Sequence, residues 1–268
     1  MWINGVEAGH ISGGDRGLSY GDGLFETMRL QLGGIAHLDR HLARFRAGCE
    51  RLQLRRVDLT QIAQDIAAVA ATKREGVLKL IVTRGSGPRG YRPSGAEIPT
   101  RIITWQASRP GDGAAAAAGV RVRYCKTLVT ENATLAGIKH LNRLDSVLAR
   151  SEWADPEIAE GFMSDSRGCI AGGTMSNVFA VRDRVLLTPP IDRCGVRGIM
   201  RGLVLDAARA AGITALEQNL TSADLAAAGE LFVTNAVLGI WPVRALEERN
   251  YPIGTMTRLL QRALGGQT

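Results

Sequence analysis

The chain has 268 residues, and its composition of 45% hydrophobic and 22% charged residues argues against a disordered or fibrous protein. Its net charge of +7 is spread along the chain with only four Tyr, five Phe and four Trp for stacking, which disfavours nucleic acid and favours a small anionic substrate. The cysteines stand far apart and the histidines lack metal-ligand spacing, so we expect neither disulfides nor a metal site. Neither a signal peptide nor a stretch of about 18 apolar residues occurs, so we expect a cytoplasmic protein without a membrane span.

Strands and helices alternate in the N-terminal part of the chain. The pattern predicts a hairpin over 27–38 with its turn at Gly33-Gly34, because glycines supply the positive φ angles of a tight turn. Apolar residues at steps of four and three predict a helix over 38–52. A second helix over 59–71 and strands over 77–83 and 101–107 follow.

A run of Gly-Asp-Gly and five alanines at 111–118 predicts a linker between an N-terminal domain, 1–110, and a C-terminal domain, 119–268. In the second domain we expect strands at 120–124, 160–164, 178–182, 184–188, 214–218 and 231–237, and helices at 141–148, 198–211 and 256–264, with a short helix capped by Ser222. The mixture of strands and helices in both halves predicts an α/β fold of the α+β type.

The glycine-rich run at 85–90 follows a predicted strand and matches the spacing of a dinucleotide-binding loop. Pro88 prevents the helix that such a loop requires, so we reject that interpretation. The loop instead presents Arg84, Arg89 and Arg92, whose guanidinium groups suit the bidentate binding of carboxylates. A solvated turn without function is the alternative.

Lys139 is the residue that the composition singles out. Only four of the 33 basic residues are lysines, and this one lies in a mostly apolar run. A partly desolvated ammonium has a lowered pKa and can form a Schiff base, whereas arginine stays protonated. Lys139 is therefore a candidate covalent anchor for a cofactor, and a lysine with a packed stem and a solvated head is the alternative.

The predicted helix that opens near Gly198 offers a second candidate feature. The first amides of a helix have no partner within it and lie at the positive end of its dipole, so the amides of Ile199 and Met200 could hold a phosphate. Every helix start has this property, and the signal is weak until another phosphate ligand is found.

Five runs of the sequence together resemble the motif series of the class IV, or fold type IV, pyridoxal-phosphate enzymes. They lie at 19–27, 84–91, 136–144, 175–179 and 198–201, in an order and spacing that cover nearly the whole chain. Within that class, Gly-Ile-Lys-His-Leu-Asn-Arg and Arg-Gly-Ser-Gly are most similar to the 4-amino-4-deoxychorismate lyases. The resemblance implies a two-domain architecture, with a smaller N-terminal α/β domain and a larger, barrel-like, cofactor-binding C-terminal domain.

The resemblance also implies roles for individual residues. Lys139 would bind pyridoxal 5'-phosphate covalently and act as the catalytic base, and Thr27 would be an active-site hydroxyl. The remaining cofactor contacts would come from Arg44, Ser176, Asn177, Gly198, Ile199, Met200, Asn235 and Ala236. Arg84, Arg89 and Arg92 would bind substrate carboxylates, and the protein would be a homodimer.

One position departs from the family pattern. The family places a glutamate, whose carboxylate keeps the pyridine nitrogen protonated, five residues before Asn177, and this chain has Gly172 there. Either a nearby acid such as Asp165 or a water substitutes, or the chemistry tolerates the loss, or activity is lost. Lyase chemistry needs less electron withdrawal than transamination because the product ring becomes aromatic, so we expect Gly172 to favour the lyase.

The expected reaction is the conversion of 4-amino-4-deoxychorismate to 4-aminobenzoate and pyruvate, which serves folate biosynthesis. A branched-chain or D-amino-acid aminotransferase of the same fold is the first alternative. A non-catalytic protein that binds pyridoxal phosphate or another anion is the second, because of Gly172.

Overall fold

The structure, a computed structural model, describes residues 1–107 and 112–265. The described residues form two compact units. The first contains residues 1–107 together with 138–142, and the second contains residues 112–137 and 143–265. Among the described residues, no helix is both long enough and apolar enough to cross a membrane.

The first unit is built on a six-stranded antiparallel sheet with strand order β2-β1-β6-β5-β3-β4. Its strands are β1 (Trp2–Ile3), β2 (Val6–Glu7), β3 (Gly23–Gln31), β4 (Gly34–Ile35), β5 (Gly76–Thr83) and β6 (Thr100–Gln106), and its helices are α1 (Arg16–Tyr20), α2 (Leu38–Arg51) and α3 (Leu59–Ala71). The predicted helices over 38–52 and 59–71 and the predicted strands over 77–83 and 101–107 are confirmed within one residue, whereas β3 begins four residues before its predicted start at 27.

Strand β3 alternates between a buried face and a half-buried one. Leu24, Met28 and Leu30 point to the buried face with relative exposures of 2% or less, as alternation in a strand requires. Helix α2 packs on this face so closely that a Cβ on Gly48 would lie 2.8 Å from Leu24 Cδ1. The other face of β3 carries Phe25, which becomes important below.

The β3–β4 hairpin forms, but its turn lies one residue earlier than predicted. Leu30 pairs with Ile35 and Gln31 with Gly34, so the two turn residues are Leu32 and Gly33, with φ of 50° and 80°. Both central residues of this turn class have positive φ, and the sequence gives no warning that a leucine would adopt it.

The second unit contains a nine-stranded mixed sheet with strand order β12-β11-β10-β13-β14-β7-β8-β9, and β15 pairs with β14. Its strands are β7 (Val120–Tyr124), β8 (Ile158–Ser164), β9 (Ile170–Gly173), β10 (Asn177–Arg182), β11 (Val185–Thr188), β12 (Ala215–Glu217), β13 (Glu230–Asn235), β14 (Gly239–Leu246) and β15 (Arg249–Asn250). Its helices are α4 (Asp112–Ala118), α5 (Leu144–Arg150), α6 (Ile199–Ala210), α7 (Ser222–Ala226) and α8 (Thr255–Leu264). The sheet curls so that β9 comes to lie beside β10, which confirms the barrel-like mixed sheet.

The curled sheet has a hydrophobic core on each face. Helix α6 covers one face, where Phe179 and Phe232 stack with ring centroids 4.9 Å apart. Phe162, Val178 and Val233 belong to the core on the opposite face. Strands β10 and β13 therefore contribute alternate residues to two cores, as a strand buried on both sides must.

The predicted linker is a helix over most of its length. Gly111 lies outside the described residues, but Asp112–Ala118 form α4, because alanine has the highest helix propensity. Ala115 packs against the core of the second unit, and Arg258 donates hydrogen bonds to the carbonyls of Ala116 and Ala117. Residues 138–142, which the sequence assigns to the second domain, join the first unit through contacts far apart in sequence.

Candidate active site

Lys139 lies beside β3 in the first unit. The amide of Phe25 donates to the Lys139 carbonyl at 2.9 Å, and the amide of Leu141 donates to the Gly23 carbonyl at 3.1 Å, so the segment runs along the start of the strand. The Lys139 Nζ lies 4.3 Å from the centroid of the Phe25 ring, within the range of a cation–π contact. The side chain is half-buried, with its backbone fixed on a sheet.

Lys79 on β5 lies over the same ring, and sequence reasoning missed it. Its Nζ is 5.1 Å from the Phe25 centroid, so two of the four lysines of the chain contact one phenyl ring. Thr27 pairs directly with Lys79 across the two strands, and it lies on the Phe25 face, opposite α2. Thr27 therefore lies on the same face of the sheet as the ring that Lys139 contacts.

Arg44 is held by a buried carboxylate, Glu26, which no sequence pattern singles out. Its Nε and Nη2 donate to the two oxygens of Glu26 at 2.8 and 2.5 Å, and His41 Nδ1 lies 2.6 Å from the same carboxylate. Burial opposes ionisation of Glu26, but the hydrogen bond from His41 and the charge of Arg44 outweigh it and lower its pKa. Glu26 therefore carries the charge that orients the Arg44 guanidinium.

The arginines of the 84–92 loop have two different environments. Arg84 donates to both oxygens of Asp22 at 2.7 and 2.9 Å and to the carbonyls of Leu52 and Gln53, so its guanidinium is a structural group rather than a carboxylate ligand. This corrects its predicted role as a substrate ligand, since the donors needed are already used. Arg89 and Arg92 are exposed and stay candidates for substrate binding.

The loop that carries these two arginines is anchored at its middle. Arg16, which is only 3% exposed, donates to the carbonyls of Gly90 and Tyr91 at 2.8 and 2.7 Å. Its Nε also contacts Asp22 at 3.0 Å. The loop is thus held in place by a buried cation.

In the second unit, helix α6 begins at an open N-terminus. Its N-cap residue, Gly198, has extended backbone angles and no side chain to accept from the first amides. A Cβ on Gly198 would lie 2.1 Å from Asn177 Oδ1, so only glycine allows the approach, and Asn177 Nδ2 donates to the Val196 carbonyl at 3.0 Å. Ile199 and Met200 are buried, and their amides stand at the positive end of the helix dipole.

A buried hydroxyl lies on the face of the sheet that α6 covers. Thr234 pairs with Asn177 and shares its face with Phe232, two residues before it on β13. The Thr234 side chain is 1% exposed, and its Oγ1 has no hydrogen-bond partner in the described part of the chain. An unpaired buried hydroxyl costs about 1–3 kcal/mol, so the Thr234 hydroxyl needs a partner such as a water or a bound ligand.

Asn235 ends β13 and holds the following turn. Its Oδ1 accepts from the amides of Val237 and Leu238, and its Nδ2 donates to the Met175 carbonyl at 3.3 Å. Because the Asn235 side chain bonds within the turn, only the backbone groups of Asn235 and of the neighbouring Ala236 are available to contact a cofactor.

Asp165, the acid considered as a substitute at position 172, is used in the turn between β8 and β9. It accepts from Arg167 Nε and Nη2 at 3.0 and 2.7 Å and from the amides of Arg167 and Cys169. Burial opposes its ionisation, but these hydrogen bonds outweigh it and lower its pKa. With every bond made locally and its charge paired, Asp165 does not replace the missing glutamate.

No group of three or more His, Cys, Asp or Glu side chains suited to a metal ion occurs among the described residues. Cys49, Cys125, Cys169 and Cys194 are free thiols.

The chain is similar to known proteins over most of its length. The family model for amino-transferase class IV matches residues 23–246. The chain is 35% identical to an aminodeoxychorismate lyase from Vibrio harveyi, over 97% of this chain and 98% of that protein. It is 32% identical to a putative branched-chain-amino-acid aminotransferase from Methanocaldococcus jannaschii, over 92% and 87% of the two chains.

Among solved structures, the 4-amino-4-deoxychorismate lyase from Pseudomonas aeruginosa matches the whole fold. The TM-score is 0.95 at 44% identity, and the match covers 99% of this chain and 98% of that one. With a family match over most of its length and relatives that align end to end, the chain belongs to the aminotransferase class IV family.

Proposed function

We propose that the protein is a pyridoxal-phosphate-dependent lyase that converts 4-amino-4-deoxychorismate to 4-aminobenzoate and pyruvate. The observation that carries this proposal is the similarity over essentially the full chain, 44% identity at a TM-score of 0.95, to a lyase of that name. The lysine and arginine motifs described above are those of the same group.

The described residues suit the cofactor. The open start of α6, the missing side chain at Gly198 and the uncompensated Thr234 hydroxyl are what a phosphate group would satisfy. Arg44, oriented by Glu26, adds a guanidinium, and Lys139 supplies the amine that would bind the cofactor aldehyde. Pyridoxal phosphate, when bound, would withdraw electrons from the amine-bearing carbon of the substrate.

In the proposed reaction the protein removes a proton, allows the enolpyruvyl group to leave and binds the substrate carboxylates. The Lys139 amine takes the proton from the amine-bearing ring carbon, and the Thr27 hydroxyl lies on the same sheet face to assist it. The bond between the ring and the enolpyruvyl oxygen breaks as the ring becomes aromatic, and the enolate that leaves takes up one proton, which balances the one that Lys139 removed, to give pyruvate. Arg89 and Arg92 bind the carboxylates, where two forked guanidinium groups fit two carboxylates.

An aminotransferase is the second candidate function, because the Methanocaldococcus jannaschii relative at 32% identity carries that name. Gly172 argues against it, since transamination depends more heavily on a protonated pyridine ring than elimination with aromatisation does. A protein that only binds the cofactor is the third candidate, and it would show no turnover with either substrate.

We also propose a homodimer in the cytoplasm. Helix α5 exposes Leu144, Val147 and Leu148 on one face, with relative exposures of 77%, 56% and 61%, which is an apolar stripe that a second copy would cover. Free thiols at all four cysteines suit a reducing compartment. Analytical ultracentrifugation of the protein and of Leu148→Glu tests the dimer, which the charge should weaken.

The decisive experiment mixes the purified protein with pyridoxal phosphate and 4-amino-4-deoxychorismate and measures pyruvate with lactate dehydrogenase. A parallel assay with D-alanine and a 2-oxo acid measures transamination. Lys139→Ala should abolish both pyruvate release and the visible absorbance of the bound cofactor. Lys73→Ala is the matched control, because Lys73 also lies over an aromatic ring, 4.8 Å from the Trp105 centroid. Transamination without pyruvate release would refute the lyase.

A further inference from the structure

Lys79 on β5 places a second ammonium group close to the amine of Lys139. Its Nζ lies 5.1 Å from the centroid of the Phe25 ring, and the Nζ of Lys139 lies 4.3 Å from the same centroid. Because both distances end at one point, the two nitrogens are at most about 9.4 Å apart, the sum of the two distances. A substrate built on one six-membered ring can therefore contact both groups at once.

The ammonium of Lys79 is available to such a substrate. The residue is exposed, and within residues 1–107 and 112–265 its side chain forms no hydrogen bond or ion pair. In the sheet it lies between Thr27 on β3 and Thr104 on β6, and the residues of these three strands that share its face include no Asp or Glu. Two ammonium groups over one ring repel each other, so this face of the sheet stabilises negative charge that is brought to it.

The residue type narrows the role of this cation. Only four of the 33 basic residues of the chain are lysines. A guanidinium binds a carboxylate through two parallel hydrogen bonds and keeps its protons, whereas an ammonium is a point charge that can give a proton away. In a chain that uses arginine for most of its cations, the lysine at 79 therefore suits a single oxygen atom that needs a proton better than it suits a carboxylate.

The proposed reaction contains such an oxygen. When the bond between the ring and the enolpyruvyl group breaks, its electron pair stays on the enolpyruvyl oxygen. The groups with roles so far do not supply the proton that this leaving group takes up, because Lys139 receives a proton, Thr27 assists Lys139, and the arginines keep theirs.

The distances allow Lys79 to reach this oxygen. The enolpyruvyl oxygen is carried by the ring carbon next to the amine-bearing carbon, so a donor hydrogen-bonded to it lies about 5 Å from the amine-bearing carbon. A base that takes the proton from that carbon lies about 3 Å from it. The base and the donor are then at most about 8 Å apart, which is within the limit that the shared Phe25 ring sets for Lys139 and Lys79.

We propose that Lys79 is a catalytic general acid, whose ammonium donates a proton to the enolpyruvyl oxygen as the bond to the ring breaks. An N–H bond of Lys79 breaks and leaves its electron pair on nitrogen, and the new O–H bond uses an electron pair of the enolpyruvyl oxygen. The enol formed in this way rearranges to pyruvate. Lys79 regains a proton from water, to which it is exposed, and Lys139 releases the proton that it took. This inference rests on the proposed function.

The test compares pyruvate release by the unchanged, cofactor-loaded enzyme with release by Lys79→Met and Lys79→Arg. A general acid contributes roughly 10²–10⁴-fold to a rate, so we expect the kcat of Lys79→Met to fall at least about a hundredfold. Lys79→Arg restores the charge but gives up no proton, so its kcat should stay low. Lys73→Met is the matched control, because it removes an ammonium that lies 4.8 Å from the centroid of another ring, that of Trp105, and its kcat should not change.

The affinity for 4-aminobenzoate separates proton donation from the binding of a carboxylate. This product keeps the ring carboxylate but has no enolpyruvyl oxygen, so its dissociation constant, measured by calorimetry, should be the same for the unchanged enzyme and Lys79→Met. Three results would each overturn the inference: a kcat of Lys79→Met within about twofold of the unchanged value, full kcat in Lys79→Arg, or a loss of 4-aminobenzoate affinity as large as the loss of kcat.

Thermal denaturation and the visible absorbance of the bound cofactor show whether each variant folds and loads the cofactor. Lys79→Arg, which keeps the charge, decides alone if Lys79→Met does not fold. If the unchanged protein releases pyruvate and Lys79→Met does so equally fast, only the role of Lys79 fails. If the unchanged protein releases no pyruvate, the proposed function fails and this inference fails with it.

Discussion

Replacing Glu26 by glutamine removes the charge that holds Arg44 and His41 together inside the first unit. The Glu26 side chain is 2% exposed and that of Arg44 is 11% exposed, so the variant leaves a nearly buried guanidinium without its carboxylate. Breaking a buried ion pair by removing one partner costs about 3–5 kcal/mol. Because Arg44 keeps some contact with water and glutamine keeps one acceptor oxygen, we expect the lower end of that range, about 3 kcal/mol.

Such a loss is a large part of the 5–15 kcal/mol that stabilises a typical protein. For a chain of this size it corresponds to a fall in the melting temperature of about 6–12 °C. Urea denaturation followed by circular dichroism measures the free energy of unfolding. Glu157→Gln is the matched control, because Glu157 is 66% exposed and pairs with Arg244 at 3.5 Å, and a surface change of this kind alters stability by less than about 0.5 kcal/mol.

The pH dependence of the difference in unfolding free energy between the unchanged protein and Glu26→Gln tests whether the charge of Glu26 is the cause. The folded protein lowers the pKa of Glu26 below its ordinary value of 4.5, so its contribution is complete above that value and is lost as the pH falls through the folded-state pKa. The gap between the unchanged protein and Glu26→Gln should therefore be constant from about pH 7 to pH 5 and shrink in more acid solution. A gap below about 0.5 kcal/mol at neutral pH would refute the account of a charged, paired Glu26.

Three further predictions concern the loops of the candidate site. Gly172→Glu, which restores a direct carboxylate, should raise transamination of D-alanine more than pyruvate release, and a large gain in pyruvate release alone would contradict the role assigned to Gly172. Gly173→Ala places a Cβ 2.3 Å from Ser176 Oγ, so thermal denaturation should show a loss of about 1–3 kcal/mol, and an unchanged melting temperature would mean that the turn yields freely. Arg89→Lys and Arg92→Lys should raise KM for aminodeoxychorismate in the pyruvate assay, since a point charge does not reproduce the guanidinium fork, and unchanged kinetics in both would remove them from the substrate site.

The elements that the sequence predicts well are those with a strong local period. Helix α3 spans Leu59–Ala71, as the sequence predicts, because its apolar residues recur at helical steps and Asp58 caps its start. The predicted hairpin turn lies one residue too late, because Leu32 adopts a positive φ that glycine would normally occupy. The alanines of α4 give no helical signal, because a helix that packs through small residues has no apolar stripe.

The residues of the candidate site likewise fall into those that the sequence identifies and those that only the fold reveals. Lys139 and Gly198 belong to runs that are informative along the chain, so the sequence identifies them. Glu26 acquires its role from His41 and Arg44, which approach from another element 15 and 18 residues later. Thr234 is likewise defined by the strand beside it. A pairing across a sheet or between a strand and a helix leaves no periodic trace, which is why these groups emerge only from the fold.

The rarity of lysine draws attention to all the lysines of the chain and does not by itself single out Lys139. Three of the four lysines, Lys73, Lys79 and Lys139, lie over aromatic rings, so the contact by itself does not mark a reactive amine. Lys139 differs in that its own backbone is bonded to the strand carrying the ring, which fixes the origin of its side chain. Because the backbone of Lys139 is held in place, its amine loses less conformational entropy when it reaches one reacting atom, and a covalent anchor needs this property. Loss of cofactor binding in Lys139→Ala, with binding retained in Lys73→Ala, would therefore show that the position of Lys139 matters and not merely its being a lysine beside an aromatic ring.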